Sequence, residues 1–166
     1  MHTTIKFAKI RPTAIIPTKR DEDAGYDIYA NFDNDYMQIP PHKTVMIPTG
    51  IACACNMDYC FILKERSSTG TKGIAQRCGV IDSGYRGEVF VPITNTNDKM
   101  VYIKKKNKEI PILDNLSEYI EYPYEKAIAQ ILLIPVPKSD VEECTYEELK
   151  AIPSKRGEGG FGSSGK

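Results

Sequence analysis

The segment Glu65-Arg66-Ser67-Ser68-Thr69-Gly70-Thr71-Lys72-Gly73 packs two cations, four hydroxyls and two glycines into nine residues. Hydroxyls and the backbone N–H groups that glycine leaves accessible donate to phosphate oxygens, and an arginine can grip two such oxygens together. The segment reads as a phosphate cradle, although the Gly-Lys-Ser/Thr spacing of a Walker loop is missing. A second segment, Gly79-Val80-Ile81-Asp82-Ser83-Gly84-Tyr85-Arg86-Gly87-Glu88, sets one carboxylate at a tight turn. Asp82 is the candidate general base there, against the common alternative that an aspartate before a glycine caps its own turn. In Ala24-Gly25-Tyr26-Asp27-Ile28-Tyr29-Ala30 an acidic residue again follows a turn-forming glycine. The last stretch, Arg156-Gly157-Glu158-Gly159-Gly160-Phe161-Gly162-Ser163-Ser164-Gly165, combines one cation, one flat aromatic surface and several small donors, a composition suited to a triphosphate.

The elements that must position these segments are mostly strands. Ile5 to Ile10, Thr44 to Ala54, Cys60 to Leu63, Glu88 to Thr94 and Ile128 to Val136 are rich in β-branched or alternating apolar residues. Val89, Val91 and Ile93 fall on one face, and Pro92 predicts an edge or locally distorted strand. Eleven prolines and twelve glycines supply the turns, which favours an all-β barrel, sandwich or jelly roll. One short helix is expected over Thr145 to Ala151, with Thr145 as cap and Glu148 three residues on, as in a capping box. The expected organisation is a core over 1–152 and a flexible glycine-rich tail over 153–166. Residues 97–124 read as an insertion or extended hairpin within that core, and the Lys104, Lys105, Lys106 and Lys108 cluster reads as a solvated loop.

Twenty-two basic residues balance twenty-two acidic ones, so no net field draws the surface toward nucleic acid or an anionic membrane, and any anion site must be local. No apolar run reaches membrane-spanning length and the N-terminus lacks a secretory pattern, so a soluble intracellular protein is expected. Five cysteines then suggest reduced thiols. Cys53, Cys55 and Cys60 match no common zinc spacing and are expected as buried thiols along a strand.

Taken in order, these segments resemble the motifs of the trimeric dUTPase family. Ala24 to Ala30 resembles the first motif, Arg66 to Lys72 the second, Gly79 to Gly87 the third, Ala127 to Gln130 the fourth and Arg156 to Gly165 the fifth. The resemblance implies a jelly-roll-like subunit of β-clip type and a homotrimer whose three active sites each draw on all three chains. It also implies Mg2+-dependent hydrolysis of dUTP to dUMP and pyrophosphate, which limits uracil incorporation into DNA and supplies dUMP for dTMP synthesis. It assigns Asp82 as the water-activating base and Asp27 as an indirect support for the metal, held mainly by substrate phosphates and waters. Tyr85 would pack beneath the deoxyribose and exclude a 2′-hydroxyl, and the backbone from Gln76 through Gly79 to Ile81 would read the uracil edge. Arg66, Ser67, Ser68, Gln130 and Arg156 would hold the phosphates. Phe161 would stack on the base, with Gly162, Ser163 and Ser164 completing the cradle. Ala127 departs from the basic residue usual at its position. A dCTP deaminase using Glu88 and a non-catalytic nucleotide- or protein-binding module are the competing readings; neither stable nucleic-acid binding nor membrane association is expected.

Overall fold

A computed structural model describes residues 3–110 and 118–159. Twelve strands and two short helices follow one another along the chain. They are β1 Lys6–Lys9, β2 Tyr26–Ile28, β3 Tyr36–Ile39, β4 Thr44–Pro48, β5 Ile51–Ala54, β6 Tyr59–Lys64, α1 Ser67–Gly70 and β7 Ile74–Gln76. After these come β8 Val80–Ile81, β9 Phe90–Asn95, β10 Met100–Lys104, β11 Tyr119–Pro123, β12 Ala129–Pro135 and α2 Tyr146–Ala151. Thr44 to Ala54, expected as one strand, is two, because Gly50 takes φ +65° and breaks the ladder between β4 and β5.

The strands form sheets in the orders β1-β5, β11-β10-β3, β2-β12-β6-β8 and β4-β9-β7, a jelly-roll-like all-β arrangement. Inward-facing residues of these sheets, among them Ile28, Ile47, Phe61, Val91, Ile103 and Ile131, meet in one apolar cluster. Val89, Val91 and Ile93 are buried together, as their alternation requires.

Two expectations change. β9 is the central strand of its sheet, not an edge, even though Pro92 lies in it in register with Met46 of β4. The continued register of β7 would place Arg77 opposite Pro92, and the Arg77 N–H does reach the Pro92 carbonyl at 2.9 Å. The reciprocal donor is the one proline lacks. The Arg77 carbonyl instead accepts from the side-chain amide of Gln76. The second change concerns 97–124. β10 and β11 pair in parallel, Val101 opposite Ile120, so these two strands do not form a hairpin. The lysines before it are held by acidic and carbonyl partners: Lys104 by Glu121 at 3.1 Å, Lys105 by the Asp33 carbonyl at 2.8 Å, Lys108 by Asp35 at 3.0 Å.

Residues 1–136 and 137–166 are two compact units. In the second, Thr145 caps α2: its hydroxyl accepts the Glu148 N–H while the Glu148 carboxylate accepts the Thr145 N–H, the reciprocal pair read from the sequence.

Candidate active site

One row across the four-stranded sheet carries much of the predicted phosphate chemistry. Asp27 of β2 lies opposite Gln130 of β12, and Gln130 lies opposite Lys64 at the end of β6. β6 then turns directly into the hydroxyl-rich loop, where Arg66 precedes the single turn of α1. Thr69 ties that turn to its start, its hydroxyl donating to the Arg66 carbonyl at 2.9 Å and accepting the Arg66 N–H at 3.1 Å. The turn is thus fixed by local side-chain bonds, and its two serines are presented at its N-terminal end.

Asp27, Arg66, Ser67, Ser68 and Gln130 line one pocket of about 790 Å3. Arg66 Nε meets Asp27 Oδ1 at 3.0 Å with both side chains about a third exposed (33%). Such a pair is held in place yet remains open to a ligand. Gln130 donates to the Glu65 carbonyl at 3.0 Å, which fastens the fourth motif to the second. Gly25 makes room for it: a Cβ there would stand 2.5 Å from Gln130 Oε1.

The pocket rim also holds residues that the motifs do not include, Thr18, Lys19, Arg20, Glu22 and Asp23. Their signal in the sequence is the charged run immediately before Ala24. Arg20 and Asp23 form an exposed ion pair at 3.0 Å that lowers the Asp23 carboxyl pKa through the hydrogen bond, and Lys19 Nζ donates to the Asp23 carbonyl at 2.7 Å.

A second pocket, of about 250 Å3, is lined by Cys78, Gly79, Val80, Ile81, Asp82 and Tyr85 together with apolar residues of β4 and β9. Asp82 sits at the start of a turn closed by the Tyr85 N–H to the Asp82 carbonyl at 3.0 Å. The turn is then shaped by Tyr85, whose hydroxyl donates to the Glu88 carbonyl at 2.9 Å and lies where a Cβ on Gly87 would come within 2.4 Å of it. Gly79 presses on β6, since a Cβ there would lie 2.9 Å from the Leu63 carbonyl oxygen. Cys78 before it adopts φ +51°, a left-handed conformation that is strained for cysteine. The Gln76 amide is engaged with the Arg77 and Cys78 carbonyls. Glu88, which a deaminase would need as its acid and base, accepts the Gly50 N–H at 2.8 Å.

The two pockets share no residue. β2 and β8 lie at opposite edges of the sheet, three strand spacings or about 14 Å apart. Asp82 continues the β8 register opposite Cys60, whereas β6 runs four residues further, about 13 Å, to Lys64 before the chain reaches Arg66, so Asp82 is brought to neither Asp27 nor Arg66 within this chain. Arg156 belongs to the unit 137–166, where its Nε donates to the Gly159 carbonyl at 2.7 Å. Phe161, Gly162, Ser163 and Ser164 lie outside the described residues. Among the described residues no three His, Cys, Asp or Glu side chains cluster as a metal site. The donors in the larger pocket are oxygens, and Asp23 and Asp27 already hold arginines. This set suits a hard cation that brings most of its ligands with it.

The fold and these pockets define an all-β protein with an arginine- and hydroxyl-lined pocket where β2, β12 and the end of β6 meet, and a carboxylate turn after β8. The family model described as dUTPase matches residues 11–111. The deoxyuridine 5'-triphosphate nucleotidohydrolase of Candida albicans is 33% identical over 157 residues, covering 93% of this chain and 84% of that protein. The enzyme of the same name from a Picosynechococcus strain is 30% identical over 97% of this chain and 98% of its own. Among solved structures, a Staphylococcus bacteriophage 80alpha dUTPase with dUPNHPP superposes with a TM-score of 0.77 at 26% identity, covering 98% and 99% of the two chains. The chain belongs to the dUTPase family.

Proposed function

We propose that the protein hydrolyses dUTP to dUMP and pyrophosphate, with Asp82 as general base and the Arg66 pocket as the triphosphate grip. The observation that carries this is the convergence of Asp27, Arg66, Ser67, Ser68 and Gln130 on one pocket, in a chain of this family. Arg66 and the two serines are donors suited to phosphate oxygens, and the Asp27 carboxylate keeps the guanidinium oriented before the ligand arrives. Asp82 takes a proton from water as the water oxygen bonds to the α-phosphorus. The bond to the α,β-bridging oxygen breaks, and pyrophosphate leaves with the electron pair. Mg2+ entering with the triphosphate would offset the charge gathering on the leaving group, with Asp27 acting on it through water.

Because one chain keeps Asp82 away from Arg66, the reaction needs the two pockets from different copies, and a homotrimer supplies them. The Gln76 to Ile81 backbone would read uracil, and Tyr85 would lie under the deoxyribose. Arg156, Phe161, Gly162, Ser163 and Ser164 would close over the bound nucleotide and keep out bulk water. The test is Asp82→Asn, which retains hydrogen bonding but cannot accept the proton. Pyrophosphate release should fall by about a hundredfold or more with dUpNHpp affinity kept. Undiminished turnover would remove Asp82 from the chemistry.

A further inference from the structure

The fourth motif carries Ala127 where the resemblance implies a basic residue, and the structure shows what meets its backbone. Ala127 is buried, 3% exposed, so its contribution to the site is its carbonyl. Two donors converge on that oxygen: the Tyr122 hydroxyl at 2.6 Å and the Arg66 guanidinium at 3.5 Å. Tyr122 comes from β11, in the 97–124 segment, and at 1% exposure it is among the most buried large side chains of the molecule. It stands opposite Ile103 in the parallel pair with β10, so its backbone is fixed by the sheet. Burial raises the pKa of its phenol, while the Ser68 hydroxyl and the Arg66 guanidinium act on the same oxygen in the opposite direction. One hydroxyl therefore joins the second motif, through Arg66 and Ser68, to the carbonyl of the fourth.

We propose that Tyr122 is a positioning residue for the triphosphate grip, its buried hydroxyl setting Ser68 directly and Arg66 through the Ala127 carbonyl. This rests on the dUTP hydrolase reading above. A phenol is well matched to this junction, since it donates to the carbonyl while accepting from the phosphate-binding side, and it adds no charge that would compete with Arg66 for the ligand. A buried, satisfied junction of this kind restricts the loop to one arrangement before the nucleotide arrives.

Tyr122→Phe keeps the ring and deletes the junction. Titration calorimetry with dUpNHpp should show affinity weakened about fivefold to tenfold, the net worth of one such hydrogen bond. Deoxyuridine, followed by ligand-observed NMR, should bind as it does to the wild type, because it has no phosphate. A double-mutant cycle with Ser68→Ala should be non-additive, the second substitution costing less in the Tyr122→Phe background. Equal loss for both ligands, no loss for either, additivity, or a variant that does not fold would each overturn the positioning role. Wild-type protein that binds deoxyuridine but hydrolyses no dUTP would overturn the hydrolase reading and this inference with it. Wild-type turnover with unchanged Tyr122→Phe binding would overturn this inference alone.

Discussion

At the residue scale, the turn from Asp82 to Glu88 is governed by the fit between Tyr85 and Gly87. A methyl group on Gly87 would meet the Tyr85 hydroxyl at 2.4 Å, so the ring must leave its place and its bond to the Glu88 carbonyl. Gly87→Ala should therefore reduce discrimination between dUTP and UTP, measured as the ratio of kcat/KM for the two, by about tenfold or more. An unchanged ratio would separate Tyr85 from sugar selection. Arg66, Ser67 and Ser68 stood out in the sequence because cations and hydroxyls crowd one short segment, whereas Gln130, which lines the same pocket, was marked only by the family resemblance. Tyr122 did not stand out, because an aromatic residue on an alternating strand gives no sign that its hydroxyl meets the Ala127 carbonyl and the side chains of Arg66 and Ser68, more than fifty residues away. The Lys19 to Asp23 rim was visible as a charged run, but the Asp27–Thr18 backbone bond that folds it against the site was not.

At the scale of elements, Pro92 is instructive. A proline within a strand pattern argues for an edge, yet β9 can be central because the one donor it lacks faces Arg77, the residue just past β7. The unmet Arg77 carbonyl and its neighbour on Cys78 are both served by Gln76, which makes that side chain a strand terminator for β7. Gln76→Leu should leave two carbonyls without this donor and lower stability by about 1–2 kcal/mol, visible as a melting shift of roughly 3–6 °C. The dUTP to dCTP selectivity should remain if the backbone from Gln76 to Ile81 reads uracil as proposed. Lost selectivity without a melting shift would instead mark Gln76 as a direct base contact. The capped α2 and the strands β6 and β9 were readable from local chemistry, whereas the short β7 and β8 and the parallel β10–β11 pair depend on non-local pairing that periodicity does not encode.

At the scale of the whole molecule, the balanced charge leaves any anion recognition to local geometry, and the proposed reading divides the work between two pockets that share no residue. A shared site makes a sharp statement about mixtures. Asp82→Asn and Arg66→Ala should each be nearly inactive alone. Unfolded together in equal amounts and refolded, they should regain about a quarter of wild-type turnover, the share of sites in a random ring that draw each intact half from a different copy. No recovery in mixed oligomers verified by mass would place both halves of the site in one chain.

Metal-assisted hydrolysis confined to dUTP is checked by following pyrophosphate release from dUTP, dCTP, dTTP and UTP by the purified protein, with Mg2+ and with chelator. Rapid release from dUTP alone, abolished by chelation, is the expected result. Release from dCTP or UTP at a comparable rate, or none from dUTP, would contradict it.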